Sequence, residues 1–210
     1  MGIGDSGITV GMPVRNVMPW LPEAIDSLLA QTTPAFEILV VAGASDDGSD
    51  EYLRSVHDPR LRIIEQKTPG LTAALNQLIE EAHTPWLARM DADDVSYPAR
   101  MEKLRAAIES HPDAGLLYSL ADYHPRDRCA GRFRCSRGST DELRSLVNRG
   151  YLLSFCHSTV LLNIEKVRAS EDIDQISAPR TPTYGGGWRR SLRSIAFPKS
   201  SSASGSTRRA

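Results

Sequence analysis

The sequence predicts an α/β fold built on a mostly parallel sheet with helices on both faces. Short apolar runs alternate along most of the chain with longer segments in which apolar residues recur every three or four positions. The first pattern is typical of buried strands and the second of amphipathic helices. Because consecutive parallel strands need a long crossover, this alternation favours a parallel sheet whose crossover helices cover it.

The first half of the pattern contains two strands and two helices. Ile8–Val14 and Phe36–Gly43 are predicted strands, the second a continuous apolar run that ends in glycine. Leu21–Thr32 has apolar residues at helical spacing. Ser49–Val56 is predicted to be a short helix with Ser49 as its N-cap, since serine readily accepts a hydrogen bond from the first helical turn.

The second half continues the same alternation. Strands are predicted at Arg60–Gln66, Pro85–Met90 and Ala114–Ala121. Helices are predicted at Gly70–Ala82, which is strongly amphipathic, and at Pro98–His111, where proline suits the first turn. Ligands bind such sheets at the carboxyl ends of the strands, so residues that follow Met90 are candidates for a site.

Composition narrows the classes of function. The chain has 210 residues, a formal net charge of −1 and 40% apolar residues, which indicates a globular protein without a general affinity for nucleic acid. No window approaches the roughly 18 apolar residues of a membrane span, and the N-terminus lacks the pattern of a signal peptide. The three cysteines are odd in number and fit no zinc spacing, so a cytoplasmic protein with reduced thiols is expected.

The character of the chain changes after Val167. Residues 1–167 carry the alternating pattern, whereas residues 168–210 are rich in Ser, Arg, Gly and Pro and have no sustained periodicity. We therefore predict a single folded domain followed by an irregular, disordered tail.

The most informative stretch is "ARMDADDVSYP", which follows the fourth predicted strand. It places Asp91, Asp93 and Asp94 within four residues. Asp91 and Asp93 point to one side of an extended segment, a spacing that suits Mg²⁺ or Mn²⁺ completed by substrate phosphates. The alternatives are a solvated acidic turn, or a role for Asp94 as the cap of the helix that begins near Pro98.

Six ordered segments carry a resemblance to a known family. They are "ITVGMPVRN", "LPEAIDSLLAQT", "FEILVV", "GLTAALNQLI", "WLARMDADDVSYPARMEKL" and "FCHSTVLL". In this order and spacing the chain, from about Ile8 to Val167, resembles family-2 glycosyltransferases with the GT-A fold. The resemblance implies transfer of a sugar from a nucleotide-sugar donor, most simply a UDP-sugar, to a glycan or lipid-linked acceptor, with peripheral membrane contact allowed.

The resemblance also assigns roles to donor-site residues. Asp93 is implied as the principal ligand of Mg²⁺ or Mn²⁺, and Asp91 would face the ribose and the metal. Pro13 would line the nucleotide pocket. Arg89 would hold phosphate or pair with the acidic cluster, and Asn76 would line the donor or be an exposed helix residue.

Two further positions match segments of the family. Gly70 belongs to the "GLTAALN" segment beside the donor. His157 matches a histidine of the "H-x-S-V" segment on the acceptor side, where a structural role is the alternative.

The chain departs from the family at the end of the second strand. The family has "DDGSTDGS" there, and one of its acids recognises the uracil or ribose of the donor. This chain has "VVAGASDDGS", so Ala42 and Gly43 stand where the two acids are expected. Asp46 and Asp47 come four residues later and are expected to be turn residues unless the loop is rearranged.

A second departure concerns the general base. The family continues into "E-D-x-D-L-W-x-R-L", whose acid deprotonates the acceptor, and then "P-E-V-L-L-x-x-R-V-H". Neither motif is present, and Glu171-Asp172 lacks the following Leu-Trp. Codons can be chosen for the first motif so that reading them one base later gives Arg180–Gly187. Codons chosen in the same way for the second motif give Pro198–Thr207. We therefore expect the tail to be a frameshift product, with the break between about Val167 and Pro179.

Three functions follow from these observations. The first is a family-2-type glycosyltransferase with its donor half present and its catalysis weak or absent. The second is a catalytically dead module that binds a nucleotide or a partner. The third is an interaction protein that uses the arginines of its tail, although such tails are usually only solvated.

The frameshift expectation is tested by sequencing the gene. A single-base shift between the codons of Val167 and Pro179 should open a frame that reads E-D-x-D-L-W and then P-E-V-L-L. If no single-base shift opens such a frame, the tail is a genuine sequence and the expectation is wrong.

Overall fold

The computed structural model of the protein describes residues 7–34, 36–123, 131–132, 136 and 138–169. The strands are β1 Ile8–Val14, β2 Glu37–Ala42, β3 Leu61–Glu65, β4 Trp86–Arg89, β5 Leu116–Tyr118, β6 Asp122–Tyr123, β7 Gly131–Arg132 and β8 Val160–Asn163. The helices are α1 Leu21–Leu29, α2 Ser49–Ser55, α3 Leu71–Glu81, α4 Arg100–Ser110, α5 Thr140–Asn148 and α6 Ile164–Arg168, with a short 3₁₀ turn at His157–Thr159. None of the helices in these ranges is long and apolar enough to cross a membrane.

Six strands form the main sheet in the order β3-β2-β1-β4-β8-β5. Strands β3, β2, β1 and β4 are parallel, whereas β8 runs antiparallel to both β4 and β5. Gly11 lies opposite Leu39 on one side and Arg89 on the other. The carboxyl ends of these four parallel strands therefore meet at one edge of the sheet, as the alternating pattern predicts.

Two apolar clusters cover the two faces of the sheet. Alternate residues of β1, β2 and β4 pack on one face against α1, α2 and α4. The intervening residues of β2 and β4 pack on the other face against α3 and α6. Because side chains alternate along a strand, continuous apolar runs such as Ile38–Val41, fully buried here, supply both cores. The predicted fold class is confirmed.

Helix α1 ends at Leu29, three residues before the predicted end. The cause is a tertiary contact of Gln31, a buried residue. Its side chain donates to the Tyr97 carbonyl at 2.9 Å and accepts from the Met101 amide at 3.1 Å. These bonds join the segment after α1 to the start of α4, and Gln31 lies outside the helix where it makes them.

The prediction that Ser49 is the N-cap of α2 is wrong. Ser49 is the first helical residue, and the cap position is occupied by Gly48 with φ of 94°. The Asp47 carboxylate instead accepts from the Ser49 amide at 3.0 Å and from its hydroxyl at 2.6 Å. The helix starts there because an acid, not the serine, satisfies its first donor.

The alternating pattern did not predict β8, α5 and α6. Strand β8 is only four residues long and is inserted between β4 and β5. Helix α6 extends to Arg168, one residue past the predicted domain boundary, and Arg168 donates to the Ile79 and Glu80 carbonyls at 2.6 and 3.1 Å. The rest of the predicted tail, from residue 170, lies outside the described residues.

A polar cluster around Glu37 joins three strands at the amino edge of the sheet. The buried Glu37 carboxylate accepts from the Thr9 hydroxyl at 2.6 Å and from Arg62 Nε at 2.8 Å. Burial by itself would raise the pKa of Glu37, but the hydrogen bonds from Thr9 and Arg62 outweigh it and lower the pKa below 4.5. The ionised form is therefore favoured by folding.

We expect Glu37→Gln to lower the free energy of unfolding by about 1–3 kcal/mol at pH 7, because it weakens charge-assisted hydrogen bonds to a buried group. Since folding lowers the pKa of Glu37, its contribution is present above the ordinary value of 4.5 and is lost as the pH falls through the folded pKa. In urea unfolding, the difference between variant and wild type should stay constant from pH 7 down to about pH 5 and shrink as the pH falls below 4.5 through the folded pKa.

Glu65→Gln is the matched control, since Glu65 lies on the neighbouring strand with an exposed side chain. It should change stability little at any pH. An equal loss in both variants, or a loss in Glu37→Gln that does not depend on pH, would contradict the role of the ionised carboxylate.

Candidate functional site

Strand β4 carries the acidic cluster to the carboxyl edge of the sheet. Its four residues are buried between β1 and β8. The Met90 amide still donates to the Gly11 carbonyl at 3.1 Å, and a turn follows in which the Asp94 amide donates to the Asp91 carbonyl at 3.2 Å. The three carboxylates therefore lie where ligands bind to parallel α/β sheets.

Arg89 and Asp91 form a bidentate ion pair at this edge. Arg89 Nη1 and Nη2 donate to the two Asp91 carboxylate oxygens at 2.9 and 2.5 Å. The Arg89 side chain is 7% exposed and the Asp91 side chain 36%. The ion-pair interpretation of Arg89 is thus observed, while Arg89 Nε is buried without a hydrogen-bond partner in the described part of the chain.

Arg100 connects this pair to the far side of the cluster. Its Nη2 donates to the Arg89 carbonyl at 2.7 Å and to the Ser158 carbonyl at 3.2 Å. Loss of hydration lowers the pKa of Arg100 to about 10, and the charge of Asp94 opposes that fall. Arg100 remains a cation at pH 7 and ties β4, α4 and the 3₁₀ turn together.

Asp94 does not cap α4, so that expectation is wrong. The cap position is Ala99, without a side-chain bond. The carboxylate of Asp94, an exposed residue, instead lies near Ser158 and Arg100. Loss of hydration raises the pKa of Asp94, and the neighbouring charges of Asp91 and Asp93 add to the rise.

His157 belongs to the same cluster. It opens the 3₁₀ turn that leads into β8. Loss of hydration, and then the positive charge of Arg89, lower the pKa of His157 to about 4, although the residue is partly exposed to solvent. The ring is therefore neutral at pH 7, when it can accept a hydrogen bond but binds a proton only weakly.

Asp93 is the open member of the acidic cluster. It is exposed, and the structure records no hydrogen bond or ion pair to its side chain from the residues it describes. No group of three metal-binding side chains occurs within those residues. A divalent ion at Asp93 would therefore need phosphate oxygens and water as further ligands, which is the usual coordination of Mg²⁺. As a second ligand, Asp91 would share its carboxylate between Arg89 and the ion, since each oxygen that accepts from Arg89 retains a lone pair.

The other predicted donor residues lie on β1, on α3 and immediately before α3. Pro13 is half-buried near the end of β1, opposite Val41. Gly70, with φ of 112°, immediately precedes α3. Asn76 is half-buried on α3, and the described contacts include no bond from it to the acidic cluster.

The two aspartates of the β2–α2 loop, Asp46 and Asp47, make different hydrogen bonds. Besides Ser49, Asp47 accepts from the Met18 amide at 2.7 Å, so both of its oxygens hold the backbone. The Asp46 amide donates to the Asn16 side chain at 3.0 Å. These bonds join the β1–α1 and β2–α2 loops, and they give Asp47 the turn role expected from the sequence.

Residues that sequence reasoning missed include Arg100, Ser158 and Gln66. Arg100 and Ser158 lie in quoted motifs, but nothing in their spacing shows that they meet. Gln66 follows β3, and its side chain reaches over Gly43 at the end of β2. No sequence signal marks that contact.

Comparisons with known proteins agree with this geometry. Residues 9–159 match the model of Glycosyl transferase family 2. The uncharacterized glycosyltransferase RC0461 of Rickettsia conorii is 32% identical over 123 residues, which are 58% of this chain and 20% of the relative. The chain spans well under half the length of the curated relatives it matches.

Two solved structures share the fold. S. aureus TarS in complex with UDP-GlcNAc superposes with a TM-score of 0.61 at 19% identity, over 82% of this chain and 48% of that one. The mannosyltransferase PcManGT of Pyrobaculum calidifontis, in complex with GDP-Man and Mn²⁺, gives 0.54 at 22% identity, over 77% and 45%. The sheet order, the acidic cluster at the end of β4 and the family match over most of the chain lead to one conclusion: the protein has the GT-A fold and belongs to glycosyltransferase family 2.

Proposed function

We propose that this chain has the site of a glycosyltransferase: it binds a nucleotide-sugar at the carboxyl edge of its sheet as the donor for transfer of the sugar to a glycan or lipid-linked acceptor. The observation that carries the proposal is the contrast within the acidic cluster: Asp91 is held by Arg89, whereas Asp93 has no partner among the described residues and faces solvent. An acid left free next to a fixed one suits a site that takes up a cation together with its ligand. Structures of similar fold hold UDP-GlcNAc or GDP-Man with Mn²⁺, which supports a nucleotide-sugar donor.

Asp93 and Asp91 would hold Mg²⁺ or Mn²⁺ between the protein and the donor diphosphate. The ion would offset the charge that develops on the departing nucleoside diphosphate. Arg89 orients Asp91 through two hydrogen bonds, so the carboxylate does not need to be ordered when the donor binds. Pro13 and Asn76 would line the nucleotide side of the cleft.

The acceptor half of the reaction is the less complete part. A general base works best when its pKa lies near the working pH. His157, with a pKa of about 4, is too weak a base to deprotonate an acceptor hydroxyl efficiently at pH 7. We propose that His157 positions groups on the acceptor side, and that transfer by this chain is weak or absent without the base motif of the family.

A catalytically dead binding module is the second candidate. It is favoured by the same absence of a base motif, and it makes a different prediction: the donor binds with metal, but no sugar is transferred. For either candidate we propose a cytoplasmic location, supported by the cysteine pattern and by the class of donor.

Asp93→Asn should abolish the metal dependence of donor binding, because an amide is a much poorer ligand for a hard cation. Calorimetric titration of UDP in the presence of Mn²⁺ is expected to show a loss of affinity of about 10-fold or more. Binding without Mn²⁺ should be unchanged.

Asp113→Asn is the control, since it makes the same change in an exposed acid in the turn after α4. It should bind UDP as the wild type does. If the wild-type chain binds UDP no better with Mn²⁺ than without it, the proposed function is wrong for this chain. Binding with metal and no transfer to any acceptor would select the dead module.

The environment of His157 predicts a low pKa that depends in part on Arg89. NMR titration of the ring should give a value near 4 in the wild type. Arg89→Met should raise that pKa, because it removes the nearby charge while most of the packing remains. An unchanged pKa in Arg89→Met would show that Arg89 does not act on His157.

A further inference from the structure

The end of β2 lacks the acid expected to recognise the donor base, but it does not lack a hydrogen-bond acceptor. Ala42 and Gly43 occupy the two acidic positions, and Gly43 is buried. A Cβ atom built on Gly43 would lie 2.6 Å from Gln66 Oε1, which is closer than real Cβ contacts allow. The Gln66 carboxamide therefore occupies the space into which a side chain at position 43 would project.

Hydrogen bonds fix which way the Gln66 amide faces. Its Nε2 donates to the Thr68 carbonyl at 2.7 Å and to the Gly70 carbonyl at 2.8 Å. Both partners are acceptors, so only the nitrogen can face them, and the oxygen must face Gly43. The backbone N–H of Gln66 donates to the Ala42 carbonyl at 2.8 Å, which fixes the residue beside the end of β2.

The acceptor presented in this way is unused within the described structure. The structure records hydrogen bonds from Gln66 Nε2 but none to its Oε1, and the residue is half-buried. On the other side of Gly43 lies the aliphatic stem of Arg15, whose Cβ and Cδ are 3.4 and 3.5 Å from the same built Cβ. The exposed Arg15 and the side-chain amide of Gln66 thus lie on either side of Gly43.

The position suits the base of a nucleotide whose diphosphate lies at Asp93. Three strand spacings, about 14 Å, separate the ends of β3 and β4 in the sheet order β3-β2-β1-β4. An extended nucleoside diphosphate can span this distance. Its base would then lie over the ends of β2 and β3.

We propose that Gln66 Oε1 replaces the missing acid and accepts the imide N3–H of uracil, so that Gln66 determines base specificity. This inference rests on the proposed function. Uracil donates at N3, whereas cytosine carries a lone pair there and would face the amide oxygen with like polarity. A site built around one hydrogen bond rejects an analogue that lacks it, because its own polar group is left unpaired.

The test compares UDP with CDP and with N3-methyl-UDP by calorimetry in the presence of Mn²⁺. The wild-type chain should bind UDP about 10-fold or more tightly than either analogue. In Gln66→Ala the affinity for UDP should fall and the three affinities should become nearly equal. The ratio of affinities separates this role from a structural one, because a loosened loop would weaken all three ligands together.

Restoring an acid supplies the matched variant. Gly43→Asp combined with Gln66→Ala places a carboxylate at the family position and removes the atom that it would clash with. This double variant should regain preference for UDP, while Gly43→Asp alone should bind poorly because Gln66 blocks it.

The outcomes are distinct from those of the proposed function. If Mn²⁺-dependent binding of UDP, CDP and inorganic pyrophosphate is absent altogether, the donor site itself is wrong. If the wild type binds UDP and both analogues equally, or if Gln66→Ala keeps the full preference for UDP, only the role of Gln66 is overturned.

Discussion

Three carboxylates within four residues repel one another, and the carboxyl edge of this sheet holds them in place with two arginines. Arg89 pairs with Asp91 from the last position of β4, while Arg100 donates to the backbone on either side of the cluster. The second arginine joins β4, α4 and the turn before β8, so the charges and the chain path are stabilised by the same contacts. Because these two arginines bring positive charge to the cluster, Asp93 can be left free for a cation.

The two edges of the sheet are built for different tasks. At the amino edge, both oxygens of the buried Glu37 carboxylate are engaged, one by Thr9 and the other by Arg62. At the carboxyl edge, the Asp47 carboxylate accepts hydrogen bonds from backbone amides of Met18 and Ser49 and so joins the β1–α1 and β2–α2 loops. Loops fixed in this way hold a few exposed polar groups in defined positions at the carboxyl edge of the sheet.

The departures from the family concern opposite sides of that cleft. On the donor side the acids at the end of β2 are absent, yet an oriented amide from β3 occupies the same space. A neutral acceptor there places no further negative charge near a diphosphate. On the proposed acceptor side, the ring of His157 is neutral at pH 7 and would be a weak base. Under the proposed function, donor recognition and transfer would therefore depend on different residues of this chain.

The sequence by itself determined the alternation of elements, the parallel sheet and the position of the acidic cluster at a strand end. These features follow from local periodicity, which each segment carries independently of the rest. Only the tertiary structure decided that β8 enters between β4 and β5, that Arg89 faces Asp91, and that Gln66 turns its oxygen toward Gly43. Each of these features depends on strand pairing or on hydrogen bonds whose geometry is set by the path of the chain. No local pattern of residue types encodes such geometry.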